Sequence, residues 1–461
     1  MNELDTIQNI FLFVLCITKI MASVDSIPKA LQYGVSNSQA RVVRQKIQPL
    51  GVSSGSSGTT VRFLLPQKSI IDMRSLSIYY DYTINGLTTD AANFSNAQFP
   101  PTYQHWSSCK IFVSGASCAG SQCNHLDQVH HALLKASCGE EYCKSRLNNA
   151  YDSLIANAGF SADPGATSKT LQATYDDMLL FRSKNYCYDS SLFGNMEIEL
   201  TFNDKNILKV TGGGTKTDTN AHLATTYAEV NHAFSNIVLA VDTVVSISPL
   251  YVSLLAERLQ ISTPIRLPFS EIRSVLASNT GSNRITLQSS CVDAVLVAFL
   301  NQDPNAGAAT ATVAARPNVN RYKFSIDAGQ KDAMGFSLTI GSEVFPRQAV
   351  QKLAELLDGT TNAIYGNDAR STNMLYMTMA GSMSVYTRDA PAAENAIALT
   401  KFAIGEEGHS TGLLCGLQTN GVATDCVVNS NSAVSSRVLI AVLQTSQVVF
   451  DPSTSAVSIE A

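Results

Sequence analysis

Charge is what this 461-residue chain has least of: Lys, Arg, Asp and Glu together make up 15% of it, against about a quarter in ordinary globular proteins. The balance is slightly acidic, with 32 basic and 37 acidic residues and a formal net charge of -5. There is no basic excess of the kind that advertises nucleic-acid binding, so any such contact has to be local. Tryptophan occurs once, at Trp106. No apolar run reaches the roughly 20 residues that a membrane-spanning helix needs. Hydrophobic residues nevertheless make up 45%, which excludes a disordered tail protein or a coiled coil. A chain of this length holds roughly two to four domains, each able to bury a core. Ser, Thr, Asn and Gln take the place of charge, as they often do in β-rich, extracellular or assembled proteins.

The N-terminus carries a short apolar run, Ile10–Ile17, followed by Lys19. Three readings are open: a weak signal peptide, an extension upstream of a true start at Met21, or an apolar arm that docks on a partner. Glu3 and Asp5 stand where a signal peptide carries positive charge. Arg41, Arg44 and Lys46 form a small basic patch, which is either a solvated charge run or an inward arm touching packaged nucleic acid. Gly51–Thr60 is a flexible linker by composition, and order is expected to begin after it.

Of ten cysteines, Cys109, Cys118, Cys123, Cys138, Cys143 and Cys187 crowd one region. Cys118 with Cys123, and Cys138 with Cys143, are each separated by four residues, with His125, His130 and His131 between the pairs. Zinc knuckles usually place two residues between ligands, so this spacing is a poor metal signal. Disulfides and reduced thiols are the other readings. Cys291 reads as an inert core thiol, and Cys415 and Cys426 could pair across a turn-rich stretch.

Beyond Thr60 the pattern is mostly period two. Leu76, Ile78, Tyr80, Tyr82 and Ile84 alternate with polar residues, as do Met196–Phe202, Tyr322–Ile326 and Phe336–Ile340. Ile237–Ile247 and Val292–Leu300 are more continuously apolar, as in strands covered on both faces. Val438–Phe450 is a last β stretch. Helices are fewer. One is expected to open at Pro346 and close at Gly359, with Val350, Leu353, Ala354 and Leu357 buried. Others are expected at Leu250–Leu259, around Leu126, Val129, Leu133 and Leu134, and around Leu171, Tyr175, Met178 and Leu179. They interrupt the strands rather than alternate with them. The fold class is therefore all-β with helical insertions, in antiparallel sandwiches. The chain divides into an arm and linker (1–59), a first sandwich with a Cys-rich insertion (60–249), and a connecting helix with a second sandwich (250–461).

Val61-Arg62-Phe63-Leu64-Leu65-Pro66, followed by Ile71-Asp72-Met73-Arg74-Ser75-Leu76, resembles the opening strands of double jelly-roll major capsid proteins of eukaryotic DNA viruses, of the polinton-like, adintovirus and virophage kind. Phe234–Leu259 resembles their passage between the two rolls, and Ile265-Arg266-Leu267-Pro268-Phe269 with Arg284–Phe299 the start of the second roll. The helix after Val344-Phe345-Pro346 and the ending Val448–Ile459 also fit. The Cys-rich insertion and the apolar N-terminus do not match the family. The resemblance implies two tandem jelly rolls, a homotrimer of near-hexagonal outline, and an icosahedral shell in the virion. The implied partners are further copies of the chain, and penton or minor capsid proteins. Low charge suits such a protein, because unpaired charge at a buried contact is costly.

Motifs with chemistry give little. Gly51-Val52-Ser53-Ser54-Gly55 matches G-x-S-x-G but sits in a Gly/Ser linker, without the strand and helix that expose a nucleophile. Gly212–Thr217 lacks the order of a phosphate loop and reads as an inter-strand loop. Glu406, Glu407 and His409 form the densest titratable cluster, but adjacent strand residues point to opposite faces, so a solvated loop is expected. His130 and His131 read as surface or boundary residues, and Trp106 as a core or contact anchor. Asn93-Phe94-Ser95 is a sequon that matters only on the secretory route. No catalytic, cofactor-binding or metal-ligating residue is assigned, and no enzyme activity is expected. A secreted lectin-like module needs paired cysteines; a β-sandwich glycoside hydrolase needs converging acids. The exposed loops are expected in Phe99–Ser191 and Gly359–Ala398.

Overall fold

The computed structural model describes residues 42–460, apart from 87–88, 91–92, 120–122, 138–167, 176–186, 214–230, 245–248, 261–263, 288–290, 302–320, 323, 366–395, 403–416 and 419–423. The first half contributes β1 (Val42–Ile47), β2 (Gly55–Ser56), β3 (Thr60–Leu64), β4 (Ile70–Asn85), β5 (Thr89–Asp90), β6 (Asn93–Gln98), β7 (Trp106–Val113), β8 (Ala116–Ala119), β9 (Ser168–Tyr175), β10 (Cys187–Asp189), β11 (Met196–Phe202), β12 (Lys209–Gly213) and β13 (Asn231–Val244). The second half contributes β14 (Ile265–Ser278), β15 (Ser282–Leu287), β16 (Cys291–Leu300), β17 (Phe336–Ile340), β18 (Glu343–Val350), β19 (Ile397–Lys401), β20 (Leu417–Gln418), β21 (Thr424–Asn429), β22 (Arg437–Asp451) and β23 (Ala456–Glu460). Four helices are described: α1 (Leu126–Ser137), α2 (Ser190–Phe193), α3 (Pro249–Gln260) and α4 (Leu353–Tyr365).

The hydrogen-bonding order is the same in both halves. The first half pairs β1-β13-β4-β10 in one sheet and β3-β11-β7-β8 in the other; the second pairs β14-β22-β16-β19 and β15-β21-β17-β18. Counting the eight framework strands of each half in chain order, both halves read 1-8-3-6 and 2-7-4-5. That is the jelly-roll arrangement, repeated. Every pairing is antiparallel, as in β13 on β4, where Phe234 lies opposite Tyr82 and Leu239 opposite Ile78. One buried cluster runs through both rolls, from Val61 and Phe63 to Val442 and Val448.

The period-two pattern builds these sheets. In β4, Leu76, Ile78, Tyr80, Tyr82 and Ile84 are buried, while Tyr79 and Asn85 on the other face are exposed. Phe299 in β16 meets Phe336 of the facing sheet edge-on at 6.1 Å, which fixes the inner face of the second roll. Alternation then puts Leu296 and Ala298 on its outer face, and their pairing partners Ala441 and Leu439 with them. All four are completely buried. The outer face of this sheet is therefore covered. Roll one supplies much of the cover: β8 packs on β14, α1 on β19 and α2 on β22. The continuous apolar run of Val292–Leu300 has the two-sided burial expected of it.

Several elements differ from expectation. Val42–Ile47 is no free arm but the first framework strand of roll one, paired along its length with β13. Order thus begins before the Gly/Ser stretch, and Gly55–Ser56 pairs with Phe234 and Ala233. Pro346 lies in the edge strand β18, where its missing N–H costs no ladder bond. The helix starts later, at Leu353, and Gly359 falls inside it. Leu171 and Tyr175 belong to strand β9, because their even spacing keeps one face in a strand as well as in a helix. Tyr322–Ile326 forms no ladder strand; Phe324 and Ile326 are buried in irregular chain whose carbonyl at Phe324 accepts from Ala396 N–H at 2.9 Å. Gly212 and Gly213 lie in β12, paired with β6, rather than in a loop. Of the segment expected to form exposed loops, Trp106–Val113 is an inner strand and α1 is buried along Leu126–Ala132. Residues 366–395, most of the other, lie outside the described residues. The helices at Leu126 and Leu250 form where expected.

Candidate functional site

Two polar constructions stand out in an apolar, charge-poor interior. One joins the two rolls; the other lies in the core of the first.

The seam begins with α1, which follows strand β8 of roll one. Its apolar residues Leu126, Val129 and Ala132 are buried, and Asp127 and Gln128 are buried with them. Asp127 has a side-chain exposure of 0% and Arg321, from roll two, of 7%. Arg321 Nε donates to Asp127 Oδ2 at 2.8 Å, and Tyr322 Oη donates to the same oxygen at 2.8 Å. Arg321 Nη2 also donates to Asn203 Oδ1 of roll one at 3.1 Å, and its carbonyl accepts from Gln128 Nε2 at 3.0 Å. Burial disfavours the charged guanidinium, but Asp127, Tyr322 and Asp204 outweigh it, and the net shift of Arg321 is upward. Burial, with the Asp127 carboxylate beside it, pushes the Tyr322 hydroxyl well up. The guanidinium is thus held charged, and the pair it makes with Asp127 crosses from one roll to the other. Nearby, Ser274 Oγ of β14 lies 3.5 Å from Cys123 Sγ of roll one.

A cavity of ≈ 240 Å³ opens at the same seam, lined among others by His125, Gln128, Asn203, Asp204, Leu276 and Arg321. Ser107 also faces it, but its hydroxyl donates to the Thr201 carbonyl at 3.2 Å rather than to a base. Gln128, Asn203, Asp204 and Arg321 of its lining are engaged in contacts between the rolls.

The second construction is a set of rings. Tyr82 and His105 stack at 4.0 Å, and Trp106, Phe202 and Phe234 pack around them. His105 Nε2 lies 3.0 Å from the Pro100 carbonyl, so that nitrogen carries the proton and Nδ1 accepts from Tyr80 Oη at 2.7 Å. His232 repeats the scheme, with Nε2 on the Asn203 carbonyl at 3.1 Å and Nδ1 accepting from Tyr82 Oη at 2.8 Å. Both rings are neutral. Burial, with His232 adding to it, lowers His105 to about 3. Burial lowers His232 to about 4, against the Asn203 carbonyl.

Of the residues singled out in the sequence, those that are described do not converge on one site. Glu406, Glu407, His409, Arg41, Cys138, Cys143 and Cys415 lie outside the described residues. His130 and His131 are buried, not at the surface, and His131 Nδ1 lies 2.6 Å from Tyr103 Oη. Cys109, Cys118, Cys123 and Cys426 are free and buried, so Cys118 and Cys123 are not joined to each other, and Cys291 is buried in β16. Arg44 is engaged in the sheet: it pairs with Asp242 at 3.1 Å and donates to Tyr79 Oη at 3.3 Å. Trp106 is a completely buried core anchor. Among the described residues, no three His, Cys, Asp or Glu side chains gather as metal ligands, and no helix is long and apolar enough to cross a membrane. Asp127 and Arg321 escaped the sequence reading. Their one signal is a charge next to the apolar stripe of a helix in a chain that has few charges.

No family model and no curated protein matches the chain. Solved structures do. A chain of the PBCV-1 virus capsid superposes with a TM-score of 0.54 at 9% identity, over 91% of this chain and 97% of that one. A chain of the Sputnik virophage, determined by cryo-EM, superposes with a TM-score of 0.52 at 13% identity, over 92% and 89%. The class is therefore that of tandem jelly-roll chains, and the likeness is one of fold. More particularly, it is the fold of the double jelly-roll capsid proteins that the opening strands resemble.

Proposed function

We propose that this chain is a viral major capsid protein, whose three copies form a near-hexagonal block that tiles an icosahedral shell. One observation carries the proposal: two rolls of identical strand order lie side by side in one chain, and this whole arrangement is shared with chains of the PBCV-1 capsid and the Sputnik virophage. Six such lobes from three chains give the outline the lattice needs. The Arg321–Asp127 lock supports it, since a block must hold its two lobes in fixed relation. So do the buried histidines His105 and His232, whose ring nitrogens are engaged in hydrogen bonds within the core. On this view the chain is no enzyme, and it resides in the virion. Its partners are further copies of itself, then the vertex and minor proteins of the shell, with contact to packaged nucleic acid left to residues 1–41.

Light scattering on the purified protein, with electron microscopy of any particles, tests this. Trimers of about 150 kDa from 49.4 kDa chains, with hexagonal outlines, are the expected result. A chain that stays monomeric at every concentration overturns it.

A further inference from the structure

The cavity at the seam differs in chemistry from floor to mouth. Roll one supplies Asn124, His125, Gln128, Phe202 and Asp204, and roll two supplies Leu276 and Arg321. Gln128 is 1% exposed and the Asp204 side chain 48%, so the cavity runs from a buried floor to an open mouth. Phe202 and Leu276 make part of the wall apolar. The volume of ≈ 240 Å³ exceeds the roughly 150 Å³ that encloses a benzene-sized guest.

The unmet groups here are acceptors. Gln128 Nε2 donates to the Arg321 carbonyl at 3.0 Å, which fixes the orientation of the amide. Its Oε1 is buried and, among the described residues, has no donor. The same holds for Oδ1 of Asp127, the residue before it, which is completely buried. Buried acceptors in this state are uncommon in folded proteins. Burial, with Arg321 and Arg437 adding to it against Asp127, lowers His125, so its imidazole is neutral and offers an acceptor nitrogen. Charge points the same way. Arg321 pairs with Asp127 at 2.8 Å and reaches Asp204 only at 3.7 Å, so two carboxylates share one guanidinium.

We propose that this cavity binds a primary ammonium carried on a short aliphatic stem. The ammonium donates to Gln128 Oε1 at the floor and to His125, within the field of Asp127 and Asp204, and the stem lies along Phe202 and Leu276. A primary ammonium has three donors and no acceptor, which suits a site whose unmet groups only accept. Both rolls line the cavity, so the ligand binds the docked pair and not the separated rolls, and it stabilises their docking by mass action. The inference goes beyond the capsid reading and does not depend on it.

The test uses the full chain and n-butylammonium chloride, at an ionic strength held constant with sodium chloride. Titration calorimetry should show one saturable site per chain, and thermal melts should rise with the amine. n-Butanol, the same stem without the charge, should bind at least about 10-fold more weakly, the difference that a charged donor makes. Asp204→Asn keeps the cap on Asn206 N–H and removes the charge, so its melt without amine stays near the wild-type value while affinity for the amine falls by about 10-fold. Leu276→Phe fills part of the apolar wall and should weaken amine and alcohol alike. Equal binding of amine and alcohol, or amine binding unchanged in both variants, overturns the assignment. So does the absence of saturable binding, which would mean that water alone meets Gln128 Oε1. None of these results touches the capsid reading, which the size of the same protein without amine decides.

Discussion

Acid should loosen the first roll before it touches the carboxylates, and the size of the effect follows from two rings. His105 and His232 are each neutral in the fold, with Nδ1 accepting from a tyrosine hydroxyl and Nε2 facing a carbonyl. An added proton on Nδ1 would face the hydroxyl proton of Tyr80 or Tyr82, in a site that water does not reach. The unfolded chain binds that proton with a pKa of about 6.5, whereas the folded values are about 3 and about 4. Between these limits the unfolded state holds more protons than the folded one. Stability is therefore full above pH 6.5 and declines as pH falls toward the folded values. At pH 5 each histidine has lost about 2 kcal/mol, so the pair has lost about 4 kcal/mol relative to pH 7.5. Trp106 packs on Tyr80 at 5.4 Å, so its fluorescence reports this core. Urea unfolding followed by that signal at pH 7.5, 6.5, 5.5 and 5.0 measures the slope. A change below about 1 kcal/mol over that range would refute the argument, as would an undiminished loss in a folded His105→Gln/His232→Gln variant.

The seam gives a sharper mutational test. Arg321→Met leaves the Asp127 carboxylate buried without its partner and should cost about 3–5 kcal/mol in urea unfolding, while Asp127→Leu/Arg321→Met recovers much of it; a loss under about 1 kcal/mol in the single variant contradicts the lock. Gly194 has φ +85°, its carbonyl accepts from Tyr188 Oη at 2.8 Å, and a Cβ there would run into Ser114 Oγ. Gly194→Ala should therefore lower stability by at least about 1 kcal/mol, and an unchanged melt would show that the turn yields. Burial pushes Cys109 and Cys123 up to about 12, so in the folded protein both should resist a maleimide at pH 8 while exposed Cys187 reacts; mass spectrometry of labelled peptides decides.

What could be seen in the sequence, and what could not, divides by range. Strands with one apolar face were legible, because Leu76–Ile84 and Met196–Phe202 carry a period that no helix shares. β1 was not, since Gln45 sits between Val43 and Ile47 on its inner face and its outer face carries Val42 followed by Arg44 and Lys46. β18 was misread because proline opens helices and also tolerates sheet edges, and the local sequence does not distinguish the two. β9 was misread because Leu171 and Tyr175 are four apart, a spacing that serves either structure. The inter-roll lock was invisible for another reason: Asp127 and Arg321 are 194 residues apart, and nothing local marks two charges as partners.

The same division bears on how the chain uses its few charges. Arg321 and Asp127 are spent inside, where removing one would leave the other stranded. Arg44 and Asp242 pair on the outer face of the β1-β13-β4-β10 sheet, partly exposed at 42% and 29%. An exposed pair of this kind contributes little to stability, about 0–1 kcal/mol. A double-mutant cycle on Arg44→Met and Asp242→Leu checks the contrast with the buried pair: its coupling energy in urea unfolding should be under about 1 kcal/mol, and a coupling as large as that between Arg321 and Asp127 would refute it.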